Sequence, residues 1–114
     1  MQCTTKYCSV KGKYMRIQVP KELDHNAADE IRLEAECIFT KCPIQNVIFD
    51  FGNTTFMDSS GIGLITGRYR KICDLGGKIY VYGLSGSMDK LFLLSGLNTI
   101  VSKITDMEDV PYEE

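Results

Sequence analysis

The sequence predicts one α/β domain with a mixed sheet and helices mainly on one side. Residues 46–52 (NVIFDFG) and 78–83 (KIYVYG) are runs of β-branched and aromatic residues, which are typical of buried strands. Between them, apolar residues at 62, 65, 69 and 72 lie on one face of a helix predicted over residues 60–74. Strand, helix and strand in this order indicate a βαβ unit with parallel neighbouring strands.

Length and composition agree with a single domain over residues 1–114. Hydrophobic residues make up 44% of the chain, enough for one core without metals or disulfides. The net charge of −2 offers no basic surface for nucleic acid or an anionic membrane. The sequence shows no signal peptide and no membrane-spanning run. We therefore expect a cytoplasmic monomer with no cofactor or metal, whose five cysteines are reduced and mostly buried.

The N-terminal part predicts two strands and a helix. Residues 3–9 and 13–19 are rich in Thr, Tyr, Val and Ile and are separated by Lys11-Gly12, as in a β-hairpin. Residues 22–26 follow as a loop, in which Asp24 occupies the position of a helix N-cap. Apolar residues at 27, 31, 35, 38 and 42 then predict an amphipathic helix that ends at Pro43.

The C-terminal part adds a short helix and an edge strand. Met88, Leu91 and Phe92 have helical spacing and are expected in the core, with a stop at Ser95-Gly96. Residues 100–104 predict a last strand at the sheet edge. The tail from residue 106 is acidic and contains Pro111, so any helix there is short. The predicted order is β-β-α-β-α-β-α-β.

The most informative motif is Asp58-Ser59-Ser60-Gly61 at the start of the central helix. It brings two hydroxyls and a carboxylate to the positive end of the helix, where a phosphate is stabilised. A phosphoserine would add about −1.5 to −2 charges, and Asp58 and Asp24 could repel them within a partner interface. The residues alone leave open whether this motif is a switch or only a helix cap.

Two other site types fit less well. A hydrolase nucleophile elbow needs a glycine two residues before the serine, where Met57 and Asp58 stand. The single histidine, His25, lies in the predicted loop, and the sequence assigns it no carboxylate partner. A dinucleotide fingerprint would place its third glycine one residue earlier than Gly67. Gly61 and Gly63 are instead expected to allow close approach of helix and sheet.

A family resemblance extends over nearly the whole chain. STAS-domain anti-sigma factor antagonists have a closely similar pattern, and the central motif through Gly67-Arg68-Tyr69 is most similar to the sporulation sigma-F branch. The matching segments are Glu22-Leu23-Asp24, Phe56-Met57-Asp58-Ser59-Ser60-Gly61-Ile62-Gly63, Leu91-Phe92 and Ser95-Gly96-Leu97. The chain departs from the family at Pro111, where the family continues a C-terminal helix.

The resemblance implies a small STAS-like fold and a protein that is not an enzyme. It implies that the unphosphorylated form binds an anti-sigma factor with serine kinase activity and frees the sporulation sigma factor. The kinase would use ATP to phosphorylate Ser59, and a phosphoserine phosphatase would reverse the modification. Partner-binding residues would be Asp24, Asp58, Ser59, Ser60 and Gly61. Antagonism in the general-stress pathway, and a small nucleotide-binding or hydrolytic domain, are the alternatives.

Overall fold

The computed structural model describes residues 4–106, 108 and 110. These residues form seven strands and three α-helices, with a 3₁₀ turn at Leu97–Thr99. The elements in chain order are β1 (Cys8–Lys11), β2 (Tyr14–Gln18), β3 (Glu22–Leu23), α1 (His25–Lys41), β4 (Asn46–Asp50), β5 (Phe56–Met57), α2 (Ser59–Asp74), β6 (Ile79–Tyr82), α3 (Gly86–Ser95) and β7 (Ser102–Ile104).

The main sheet has five strands in the order β1-β2-β4-β6-β7. β1 and β2 pair antiparallel, and all the other neighbours pair parallel. The predicted mixed sheet, hairpin and edge strand are therefore confirmed. The hairpin turn falls at Gly12, which has φ of 61°. The first strand was predicted over residues 3–9 and is observed at Cys8–Lys11; residue 3 lies outside the described residues.

All three helices pack on the same face of the sheet. In the central strand, Val47 and Phe49 join the core that α1, α2 and α3 cover. Ile48 points to the opposite face, because successive side chains of a strand alternate. There it meets Tyr14 and Val110. The prediction of helices mainly on one side is confirmed, and the C-terminal segment reaches the other face at Val110.

The helix α3 begins at Gly86 and ends at the predicted stop. Met88 and Phe92 are buried and Leu91 is half-buried against the core, and the Phe92 ring meets Phe51 edge-on at 5.5 Å between centroids. Gly96 ends the helix in the left-handed conformation, with φ of 83°, which glycine adopts without strain. The core assignment of this segment is confirmed.

A buried arginine ties the two central helices together. Arg68 of α2 donates to Glu36 Oε2 of α1 at 2.6 Å and lies over the Phe39 ring, 5.3 Å from its centroid. Hydrogen bonding from Arg68 and then from Lys71 holds the pKa of Glu36 below its ordinary value. Arg68 is 3% exposed, so its contacts fix how α1 and α2 lie against each other.

The strands β3 and β5 were not predicted. They pair parallel, with Glu22 opposite Phe56 and Leu23 opposite Met57. The expected loop over residues 22–26 is therefore wrong: its first two residues form β3, and its last two open α1. Two-residue strands carry no periodic signal in the sequence, and tertiary pairing alone creates them. β3 and β5 lead directly into α1 and α2.

The glycines at the start of α2 have different surroundings. A Cβ at Gly61 would lie 2.4 Å from Met57 Cγ and 2.9 Å from Leu23 Cδ2, so the helix lies too close to β3 and β5 for a larger residue. A Cβ at Gly63 would meet nothing within 4 Å. The prediction of close approach holds for Gly61 and is wrong for Gly63, which faces outward.

These surroundings predict opposite effects for two glycine-to-alanine substitutions. Gly61→Ala is expected to lower the free energy of unfolding by about 1–3 kcal/mol, because it overpacks the β3–β5 side chains. Gly63→Ala should raise it by about 0.5–1 kcal/mol, because alanine loses less backbone entropy in a helix. Urea unfolding of both variants measures the difference, and shifts of equal sign would contradict the assigned packing.

The cysteines are less buried than predicted. Cys8 is buried, but Cys37 and Cys73 are exposed on α1 and α2, and Cys42 is half-buried. None of these four cysteines of the described part of the chain forms a disulfide. Cys37 and Cys73 fall off the apolar stripes of their helices, where exposure follows from the helical period. Burial raises the pKa of the Cys8 thiol to about 12.

Alkylation should therefore separate the cysteines by rate. At pH 8 the thiolate fraction of Cys8 is about one in ten thousand, and only the thiolate reacts. We expect iodoacetamide to modify Cys37 and Cys73 in the native protein and Cys8 only after unfolding. Peptide mass mapping over time measures this order, with the protein in concentrated guanidinium chloride as the control. Rapid modification of native Cys8 would contradict its burial.

Candidate functional site

The N-termini of α1 and α2 lie side by side because β3 and β5 precede them in a parallel pair. The backbone N–H of Asp58 donates to the Leu23 carbonyl at 3.3 Å, so the residues immediately before the two helices are in register. Further back, the Thr54 hydroxyl donates to the Pro20 carbonyl at 2.9 Å. The two chain segments are thus joined before each helix begins.

Each helix is capped by an aspartate. Asp24 Oδ1 accepts from the Ala27 N–H at 3.0 Å, and Asp58 Oδ1 accepts from the Ser60 N–H at 2.8 Å. Both residues have extended backbone conformations and are half-buried, as N-cap residues usually are. The predicted N-cap at Asp24 is confirmed, and such a cap stabilises the helix by about 1 kcal/mol.

Ser59 is the first residue of α2 and is exposed. Ser60, next to it, is half-buried. At this position the helix dipole attracts negative charge, whereas the neighbouring carboxylate of Asp58 repels it. A phosphate on Ser59 would therefore be tolerated by the helix and would remain at the surface. The helix starts one residue earlier than predicted, which makes Ser59 its first residue.

His25 differs from its expected place. It is the first residue of α1 rather than a loop residue. Its Nδ1 lies 3.3 Å from Ser60 Oγ, and its Nε2 lies 3.3 Å from Asp29 Oδ2, one helical turn further on. The side chain is 73% exposed, and Asp29 is the carboxylate partner that the sequence did not assign.

The structure brings the predicted partner-binding residues to one end of the helix pair. Ser59 is exposed, and Asp24, Asp58 and Ser60 are half-buried. Gly61 is buried against β3 and β5, so it supports this surface without being exposed on it.

Sequence reasoning missed two residues of this region. Phe56, in β5, exposes 48% of its surface beside the start of α2, and Asp29 holds His25. Exposed Phe56 next to buried Met57 follows the alternation of a strand. Two residues are too few for that pattern to be recognised in a sequence. The position of Asp29, four residues after His25, puts it on the same face of a helix, but the predicted loop at His25 concealed this relation.

Asp29, His25 and Ser60 form a chain of contacts similar in composition to a hydrolase triad. Acyl transfer also needs amide donors aimed at the developing oxyanion. The Ser60 N–H is bonded to Asp58 Oδ1, and the Gly61 N–H donates to the Asp58 carbonyl at 3.0 Å. Both amides next to the serine therefore already have partners, and this conformation has no oxyanion hole at Ser60.

Metal-binding clusters and membrane-spanning helices are absent from residues 4–106, 108 and 110. No group of three His, Cys, Asp or Glu side chains in this part of the chain is arranged to hold a metal ion. None of its helices combines the length and the apolar character needed to cross a membrane.

Comparison with known proteins identifies the family. Residues 9–110 match the STAS domain. An anti-sigma F factor antagonist of Paenibacillus polymyxa is 31% identical over 101 residues, which cover 82% of this chain and 86% of that protein.

Two solved structures have the same fold. The anti-sigma factor antagonist SpoIIAA, the stage II sporulation AA protein, in its unphosphorylated form is 28% identical with a TM-score of 0.71, over 88% of this chain and 86% of that one. The phosphorylated form of the Bacillus cell fate determinant SpoIIAA is 32% identical with a TM-score of 0.70, over 87% and 89%. The chain therefore belongs to the STAS domain family and, within it, to the anti-sigma factor antagonists.

Proposed function

We propose that the chain is a single-domain phosphoswitch that antagonises an anti-sigma factor in the cytoplasm. Unphosphorylated, it binds an anti-sigma factor that is also a serine kinase, and so frees the sporulation sigma factor. The kinase uses ATP to phosphorylate Ser59, which ends binding, and a phosphoserine phosphatase restores it. In this proposal the chain itself catalyses no reaction. The observation that carries the proposal is the exposed hydroxyl of Ser59 at the shared N-terminal end of α1 and α2.

The surface around Ser59 is suited to a charge-sensitive interface. Ser59 lies next to the half-buried Asp58, and the pairing of β3 with β5 brings Asp24 to the same end of the helix pair. Phe56 offers an exposed aromatic side chain nearby, the kind of residue that often anchors a protein interface. Asp24, Asp58, Ser59 and Ser60 would contact the partner, with Gly61 supporting them from beneath.

Phosphorylation would weaken this interface by electrostatics and desolvation. The phosphate adds about −1.5 to −2 charges beside Asp58. In the free chain, water and the helix dipole compensate that charge. Under a docked partner the water is removed, and a loss of about 3–4 kcal/mol corresponds to a several-hundred-fold weaker complex.

The similarity to an anti-sigma F factor antagonist supports the sigma-F pathway over the general-stress pathway. Both readings use the same fold and the same switch, and they differ in which kinase recognises the surface. A nucleotide-binding or hydrolytic role has less support, because the amides of Ser60 and Gly61 are bonded to Asp58 and cannot also cradle a phosphate or an oxyanion.

The first test is direct phosphorylation of the purified chain. Incubation with the anti-sigma F factor of the same organism and Mg-ATP should add one phosphoryl group, and peptide mapping should place it on Ser59. Ser59→Ala should remove the modification. If a kinase preparation active on another substrate leaves the chain unmodified, the proposed switch fails. Testing the general-stress kinase in parallel decides between the two pathways.

The second test measures how charge at residue 59 affects binding. Ser59→Ala is expected to bind the anti-sigma factor as tightly as the unmodified chain and to stay bound when ATP is added. Ser59→Asp adds about one charge and should weaken binding roughly tenfold to a hundredfold. Calorimetry or surface plasmon resonance without ATP gives the dissociation constants.

Thr40→Asp provides the matched control for added charge. Thr40 is exposed near the C-terminal end of α1, about 20 Å from the start of that helix by its rise per residue. Its added charge should leave the dissociation constant within about twofold, because salt screens charges at this distance. Equal weakening by Thr40→Asp and Ser59→Asp would indicate a general charge effect and would contradict an interface at Ser59.

A further inference from the structure

The two adjacent serines at the start of α2 are held differently. Ser59 is exposed. Ser60 is half-buried, its N–H is bonded to Asp58 Oδ1 at 2.8 Å, and its Oγ lies 3.3 Å from Nδ1 of His25 on the neighbouring helix. Two hydroxyls of the same type, one residue apart, therefore differ in both accessibility and freedom to rotate.

The imidazole that meets Ser60 is itself anchored. Its second nitrogen, Nε2, lies 3.3 Å from Asp29 Oδ2, and Asp29 also pairs with Arg32. The carboxylate favours the neutral tautomer with the proton on Nε2, which leaves Nδ1 to accept the Ser60 O–H. In the protonated imidazole Nδ1 donates to Ser60 Oγ instead. The hydroxyl has a partner in either protonation state.

The register between the helices maintains this contact. His25 and Ser60 are 35 residues apart, and they meet because Leu23 pairs with Met57 two and three residues before them. The buried Arg68–Glu36 contact holds the same two helices together further along. The register of the two helices therefore brings His25 beside Ser60.

Accessibility and orientation are what a kinase requires of its substrate hydroxyl. In the transfer, serine Oγ forms a bond to the γ-phosphorus of ATP, the bond from that phosphorus to the β–γ bridging oxygen breaks, and ADP leaves. The hydroxyl proton passes to a carboxylate base of the kinase. Because the transition state is loose, positioning contributes more than the nucleophilicity of the hydroxyl. A hydroxyl that is bonded to another group must first break that hydrogen bond before it can align with the phosphorus.

We propose that His25, anchored by Asp29, determines which serine is phosphorylated by keeping the Ser60 hydroxyl engaged, so that the phosphoryl group is directed to Ser59. His25 is then a positioning residue, and it acts on the substrate side of the reaction. This inference rests on the proposed function, because it assumes a kinase that docks at the N-terminal end of the helix pair.

The same contact between His25 and Ser60 also allows the opposite effect, and the experiment distinguishes the two. An imidazole that accepts a serine proton can also act as a general base. In that case His25 would make Ser60 a better acceptor, and its removal would reduce any modification of Ser60. The two roles predict changes of opposite sign in the same measurement.

The experiment measures phosphorylation of Ser60 in a chain that lacks the preferred serine. Ser59→Ala, Ser59→Ala with His25→Ala, and Ser59→Ala with Asn26→Ala are incubated with the anti-sigma F factor and Mg-ATP. Asn26 is exposed in the same turn of α1 and serves as the matched control. Initial rates of phosphate incorporation are recorded, and peptide mapping assigns the site.

Removal of His25 is expected to raise the initial rate at Ser60 by about threefold to tenfold, which corresponds to the loss of one hydrogen bond. The Asn26 variant should match Ser59→Ala alone. An unchanged or lower rate in the His25 variant would overturn the inference. Binding measured without ATP shows whether docking is preserved, so that the rate reports the hydroxyl itself.

The site of phosphorylation distinguishes an error in the role of His25 from an error in the proposed switch. If the unmodified chain accepts a phosphoryl group on Ser59 and the His25 variant gains none on Ser60, only the role of His25 is wrong. If the unmodified chain accepts none on Ser59, the switch itself is wrong. In the Ser59-containing chain, His25→Ala should also give a second, minor modified peptide that carries phosphate on Ser60.

Discussion

The parallel pairing of β3 with β5 is the constraint on which the site depends. A two-residue pair is too short to be stable alone, and here Leu23 and Met57 are buried beneath the helices. Gly61 permits that burial, since any larger residue would overlap both side chains. Because the pair fixes the register of the two segments, α1 and α2 begin side by side. Asp24, Asp58 and Ser59 come together as a result.

In the proposed switch, the aspartates that cap the two helices also make the site sensitive to charge. Asp58 stabilises α2 by accepting from the Ser60 N–H, and in doing so it holds a carboxylate beside Ser59. In the free chain the helix dipole and water offset an added phosphate, so modification need not unfold the domain. The repulsion between the phosphate and Asp58 would reach its full strength only where a docked partner removes the water. The proposed switch would change binding and leave the fold intact.

Much of the fold could be predicted because its signals are local. The apolar stripes of α1 and α2, the buried run of β4 and the glycine at the end of α3 depend on residues within a few positions of one another. His25 shows the limit of such signals. Its placement in a loop was wrong because β3 shortened that loop to a single cap residue. Gly63 resembled Gly61 in sequence, but only Gly61 lies against neighbouring side chains.

The sequence by itself determined the α/β class, the order of the main strands and helices, and the Asp-Ser-Ser motif at a helix start, because helical and strand periods and cap preferences are properties of short segments. Tertiary structure decided which residues meet across the helix pair. It placed Asp24 with Asp58, buried Gly61, exposed Phe56 and brought His25 to Ser60. These contacts join residues more than thirty positions apart, and no local pattern encodes them because they depend on how whole elements pack.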